Sequence, residues 1–279
     1  MSRATPQTAE PEPHRRRPIR DLSPAWLAAL TIVLLAAAGV RIGFALEPQR
    51  PQEPDSIGYA RIAKSLHRDG DFEEGGHRTP RQQPSNYSPG LPLLVAGIYE
   101  LTGGAHLELA RVVLALIGAL GVLFAFLIGS RLSGPGAGLA AAIVVGGYPA
   151  LLQYQGMLMT EPLAVTLLAA SMLAFIWAGD GFGPWPWALP GLLLGLLAMV
   201  RPEYLPLGVL LALVALFRVR WLDGGWAPGL GAAAILVIAF LLPIVPWTIR
   251  NAVVLDRFVP VSTGGGKALF IGTYMPADG

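Results

Sequence analysis

Two acidic and two basic residues stand out from an otherwise apolar chain. Asp55 follows Pro54 at the head of Asp55-Ser56-Ile57-Gly58-Tyr59-Ala60-Arg61-Ile62, and Glu161 sits in Met159-Thr160-Glu161-Pro162, ahead of a long apolar run. Arg201 opens Arg201-Pro202-Glu203-Tyr204 between two apolar runs, and Arg250 lies in Trp247-Thr248-Ile249-Arg250-Asn251, past the last of them. A carboxylate can take a proton from a hydroxyl, and a guanidinium is the preferred partner of a phosphate. Each group also has a structural explanation. Asp55 reads as an N-cap, and Glu161 as a first-turn acid favoured by the helix dipole, with Thr160 as cap and Pro162 in the first turn. Arg201, Arg250 and Trp247 read as interfacial anchors. An acid carried to the bilayer centre costs about 2.5–3.5 kcal/mol, so a deep Glu161 must pair or line a polar cavity.

The elements that must position these groups belong in lipid. Of 279 residues, 53% are hydrophobic and 14% charged, and the mean hydropathy is +0.54. Apolar runs approach the roughly 20 residues that span a bilayer, beyond what one soluble core needs. They lie at about 24–46, 107–130, 136–152, 161–178, 186–200, 203–219 and 227–247, which predicts an all-α polytopic bundle of about seven transmembrane helices. Gly191 and Gly195 predict close helix contact. The absence of cysteine excludes disulfides and thiolate metal sites. A net charge of +2 and a pI of 9.1 argue for no polyanionic partner, and no basic stripe interleaved with aromatics supports nucleic acid binding.

Residues 1–22, rich in Pro, Arg and Glu, predict a disordered basic cytoplasmic tail, with Arg15-Arg16-Arg17 holding the first span's N-terminal end inside. Residues 23–250 form the transmembrane domain, and 251–279 start a segment on the outer side. Within the domain, 47–106 is a long first outer loop. Ile57, Tyr59, Ile62, Ala63 and Leu66 predict an amphipathic helix on the membrane surface there, and Leu91 to Leu101 a second, too short to cross. Arg131, Arg218 and Arg220 then fall inside, while the loop, 148–160, 199–202 and everything after Trp247 fall outside.

The order and wording of these stretches resemble the polytopic C-type (GT-C-like) glycosyltransferases that use a polyprenyl-phosphate sugar. The branch is that of the protein mannosyltransferases and aminoarabinose transferases, glycosyltransferase family 39-like. The resemblance rests on Asp55 to Gly70 as D-x3-Y-A-x2-A-x2-L-x3-G, then Tyr87-Ser88-Pro89-Gly90-Leu91-Pro92, Thr160-Glu161-Pro162 and Arg201-Pro202. It continues through Pro246 to Asn251 and Val261-Ser262-Thr263-Gly264-Gly265, and covers about residues 25–279.

The resemblance implies a multi-pass cell-membrane enzyme with an extracytoplasmic catalytic loop. Its acids are Asp55, the general base, and Glu161, where relatives more often have Asp. Many relatives hold a divalent metal ion, which Asp55 and Glu161 would ligate, with His77 and His106 as weaker candidates. The donor would be a polyprenyl-phosphate-linked sugar in the membrane lipid, and the acceptor a hydroxyl of a protein, lipid or glycan. Arg201, Arg250 and Lys267 would offset the phosphate charge, while Tyr59 and Tyr87 would line the sugar pocket. Such enzymes continue through further spans, so one alternative is a front half that lacks part of the acceptor site, an inactive fragment of the enzyme. The competing readings are a transporter and a protein that binds polyprenyl phosphate without turnover. Transport is disfavoured by polar groups gathered at one face and by the absence of an internal repeat. Gly264-Gly265-Gly266-Lys267 lacks the spacing of a phosphate loop.

Overall fold

The computed structural model describes residues 22–47, 53–73, 86–181, 183–223, 225–264 and 273, and every element within them is a helix. In chain order they are α1 (Pro24–Leu46), α2 (Pro54–Asp69), α3 (Gly90–Thr102), α4 (Leu107–Ser133), α5 (Pro135–Gly146) and α6 (Pro149–Gln153). There follow α7 (Thr160–Ala178), α8 (Ala188–Val200), α9 (Leu205–Asp223) and α10 (Trp226–Leu255). Proline opens α1, α2, α5 and α6, where its missing N–H costs nothing and its fixed φ suits the first turn. Gly70 and Gly103, at φ 74° and 70°, end α2 and α3 in the left-handed conformation that glycine tolerates.

Among the described residues five helices are long and apolar enough to cross a membrane: α1, α4, α7, α9 with its preceding turn, and α10. Their outward faces are apolar, with Ile32 and Leu35 of α1 each about two-thirds exposed, a surface that belongs against lipid rather than water. This is a helical membrane protein. The stretch expected as one span at 136–152 is broken instead. α5 stops at Gly146, and the chain resumes at Pro149 bent by 50°, so that 135–156 counts as a sixth span only if the bent pair is taken as one. The break falls where Gly146-Gly147 and the residue before Pro149 resist helix. The piece 185–200 is shorter than a full span.

A break inside a membrane leaves carbonyls without partners. Arg41, buried on α1, supplies them: its guanidinium donates to the carbonyls of Val145 (3.1 Å) and Gly146 (2.9 Å), and also back to the Ala37 carbonyl of its own helix (3.3 Å). The main core lies among α3, α4, α7, α8, α9 and α10, and a smaller one joins α1, α4 and α5. At one end of the bundle Arg131 pairs with Asp180, Arg218 donates to the Gly179 carbonyl at 3.2 Å, and Arg220 stacks on Trp226. The three arginines expected on one side therefore share one end. α2 and α3 pack on each other, and the start of α3 meets the close of α8.

The α8–α10 seam was legible in advance. A Cβ at Gly191 would collide with the Leu236 carbonyl oxygen, and one at Gly195 with the Phe240 carbonyl, leaving Pro243 Cγ only 2.7 Å away. Small residues let the backbones close to contact. Gly191→Ala therefore costs about 1–3 kcal/mol by overpacking against backbone that cannot rotate away. The check is the thermal unfolding midpoint in detergent, and an unchanged midpoint contradicts the seam.

Candidate active site at one end of the bundle

α2 forms because Tyr59, Ile62, Ala63 and Leu66 share a face, and the predicted surface helix spans Pro54 to Asp69. It is fixed to the bundle through Ser56, whose buried hydroxyl accepts a hydrogen bond from the Leu158 amide at 3.0 Å. That contact sets α2 beside the chain entering α7. Gly58 turns toward Tyr87, whose hydroxyl would collide with any Cβ there. The rings of Tyr59 and Tyr87 meet edge to face with centroids 5.1 Å apart.

Across from them, Arg201 at the end of α8 donates to Glu161 Oε1 at 3.0 Å and to Glu203 Oε1 at 2.5 Å, and lies 3.4 Å from Thr160 Oγ1. Burial alone would weaken the Arg201 charge, but hydrogen bonds and attraction from Glu203 and Glu161 outweigh it and raise its pKa. The Tyr59 hydroxyl feels the whole group. Burial pushes its pKa up, Asp55 and Glu161 add to the rise by their negative charge, and Arg201 opposes it. Asp55, Tyr59, Tyr87, Glu161 and Arg201, from four separate stretches of chain, thus share one locality.

Tyr59 stays a neutral donor well above the ordinary phenol range, so it can bind a sugar or phosphate oxygen but not act as a base near neutrality. The raised value gives a pH dependence with a definite sign. The contribution to stability is full below the unfolded pKa of 10.0 and is lost as pH rises beyond it, because only the unfolded chain ionises freely. Tyr59→Phe should flatten the loss of stability above about pH 10, measured as the unfolding midpoint against pH; an unaltered alkaline limb counts against the buried hydroxyl.

Two structural explanations from the sequence fall here. Asp55 is not the N-cap: Glu53 takes that place, Pro54 opens the helix, and Asp55 lies exposed in the first turn. Thr160 is not the cap of α7 either. Met159 is, without a side-chain bond, because Thr160 is already helical and its hydroxyl turns toward Arg201 and Glu161.

Arg250 belongs to a neighbouring cluster. The last apolar run does not stop near Trp247 but continues as helix to Leu255, so Arg250 and Asn251 ride on α10. The Arg250 guanidinium lies 5.0 Å from the Trp247 ring centre and 5.6 Å from that of Phe72, and these two rings are themselves 4.9 Å apart. Three side chains of this end clamp the returning chain. Trp247 Nε1 donates to Val261, Thr248 Oγ1 to Pro260, and Asn251 Nδ2 to Val259 and Val261. Thr263 Oγ1 in turn donates to Asn86 Oδ1 at 3.2 Å, so the Val261–Gly264 stretch meets the start of the Tyr87–Pro92 stretch. Ser56, Glu203 and Phe72 were missed as site residues. The signal for Glu203 was its place two residues from Arg201, while nothing local marked the other two.

Lys267 and His77 lie outside the described residues, as does the tail up to residue 21. His106 sits at the head of α4, in a cavity apart from Asp55 and Glu161. Among the described residues no three His, Asp or Glu groups converge as a metal cage. Two carboxylates completed by water and other oxygen ligands are nonetheless a donor set that a magnesium-like ion uses, and Glu161 keeps an oxygen beyond the one bound to Arg201. Compared with protein-family models and with curated proteins, the chain matches none.

Proposed function

We propose that this protein is a membrane glycosyltransferase that moves a sugar from a polyprenyl-phosphate donor to an acceptor hydroxyl on the extracytoplasmic side of the cell membrane. In this reading α1, α4, α5 with α6, α7, α8, α9 and α10 make seven crossings in alternating directions. The observation that carries it is the joining of Asp55, Tyr59, Tyr87, Glu161 and Arg201 at the bundle end opposite Arg131, Arg218 and Arg220. A base, neutral hydroxyls and a guanidinium in one place at a lipid boundary suit a lipid-borne sugar phosphate better than a solute in transit.

In the transfer the acceptor oxygen bonds to the anomeric carbon as the bond from that carbon to the phosphate oxygen breaks. Polyprenyl phosphate leaves with the bonding electrons, and the acceptor proton passes to Asp55. Glu161 holds Arg201 in place, and Arg201 faces the departing phosphate. Tyr59 and Tyr87 flank the sugar, and Arg250 meets the phosphate from the α10 side. A divalent cation, when bound, would be held by Asp55 and Glu161 and would offset phosphate charge. The isoprenoid tail lies along the apolar helix faces.

The test is turnover by the purified chain in nanodiscs, with a panel of polyprenyl-phosphate sugars and release of polyprenyl phosphate as the readout. Release that requires an acceptor supports transfer. Tight donor binding with no release from any member of the panel favours a lipid-carrier binder.

A further inference from the structure

A second polar site lies at the turn between α3 and α4, apart from the residues assigned to transfer. A cavity of about 730 Å³ opens there, lined among the described residues by Thr102, His106, Glu108 and Arg111 together with Leu107 and Leu109. Arg111 is 9% exposed, and among the described residues its Nε–H has no hydrogen-bond partner. A buried guanidinium with an unsatisfied donor is costly and calls for an anion. The same cavity receives the N-terminus of α4, a helix of 27 residues whose N-cap, His106, makes no capping bond through its side chain among the described residues. Its first amides and its dipole therefore add to the attraction for an oxyanion.

Glu108 decides which oxyanion. It stands three residues before Arg111 on the same helix, a spacing at which acid and base ordinarily pair. Among the described residues the two form no ion pair, and Glu108 remains exposed on the cavity rim. A simple phosphate would gain from Arg111 but suffer repulsion from Glu108. A phosphate ester that also carries an ammonium group satisfies both. The turn lies beside apolar surface, with Leu101 and Leu109 exposed, where acyl chains can follow the headgroup.

We propose that the α3–α4 turn binds the headgroup of an aminophospholipid, its phosphate on Arg111 and the α4 amides and its ammonium on Glu108. The site needs membrane embedding but not the transfer reading, and it stands or falls separately.

Calorimetric titration of the full chain in detergent tests it with three probes: dihexanoyl phosphatidylethanolamine, dihexanoyl phosphatidylglycerol and inorganic phosphate. The ethanolamine lipid should bind about tenfold or more tighter than the other two. Arg111→Gln should weaken that binding by about tenfold or more, and Glu108→Gln should bring the two lipids within about twofold of each other. Equal binding of the two lipids by the unaltered protein overturns the proposal. So does inorganic phosphate binding as tightly as the ethanolamine lipid, which would make free phosphate the ligand, or undiminished binding by Arg111→Gln. Should Arg111→Gln fail to fold, the exposed Glu108 decides: a preference for ethanolamine that survives Glu108→Gln also overturns it.

Discussion

Asp55→Asn should lower sugar transfer by about 10²–10⁴-fold, the usual contribution of a positioned base, while donor KM changes by no more than about twofold. Asparagine keeps the size and most of the hydrogen-bonding capacity of aspartate but cannot take the acceptor proton. The position allows a clean split between chemistry and folding. Asp55 is exposed, lies one residue inside a helix that Pro54 opens, and makes no capping bond. Its replacement should therefore leave the unfolding midpoint within about 0.5 kcal/mol of the unaltered protein. That KM limit applies with divalent ion removed; where Asp55 and Glu161 also hold a cation, the variant additionally binds donor more weakly and regains that affinity, but not the rate, with excess divalent ion. Full turnover by Asp55→Asn removes the base from the mechanism.

How the sequence foretold this arrangement differs between its parts. The helix at 54–69 was legible because Tyr59, Ile62, Ala63 and Leu66 repeat at helical spacing among polar neighbours, whereas Ile57, counted with them in the sequence, lies off that face and is exposed. The glycine seam was legible for a similar reason, since Gly191 and Gly195 stand four apart on one face of an apolar helix. The broken segment at 146–149 was not. Whether Gly146-Gly147 and Pro149 interrupt a membrane helix depends on a donor for the freed carbonyls, and that donor is Arg41, more than a hundred residues earlier. The end of α10 was misjudged on the same kind of evidence. Polarity at 248–251 looked like an exit from the membrane, yet Thr248 and Asn251 spend it on the returning chain at 259–261.

Within the site, the order of acid, acid and arginine could be read from the chain, but their pairing could not. Nothing in the spacing of Glu161 and Arg201, forty residues apart, says that they bond at 3.0 Å. Nor does it say that Glu203 takes the other edge of the same guanidinium. Hydrogen bonds of that kind are set by how α7 and α8 pack, which lies beyond any local period.

Arg201 gives the sharper test of the charge balance. With Glu161 and Glu203 both on it, the trio carries a net charge of −1 (one cation, two carboxylates) before any phosphate arrives. If Arg201 faces the departing phosphate, Arg201→Met should cut transfer by about 10²–10³-fold, the scale of losing one charge-stabilising donor. Stability should fall by no more than about 1 kcal/mol, because both partners are partly solvated. Arg201→Lys should recover only part of the rate, since a single ammonium cannot serve both carboxylates in the forked geometry that guanidinium provides. Glu203→Gln should act in the opposite direction. It removes a carboxylate that competes with phosphate for the same guanidinium, so donor should bind more tightly, by about two- to tenfold. A merely structural arginine would respond differently, with Glu203→Gln loosening the site and weakening donor. Donor affinity measured for Arg201→Met and Glu203→Gln side by side therefore separates an arginine that meets phosphate from one that only braces the ends of α7 and α8.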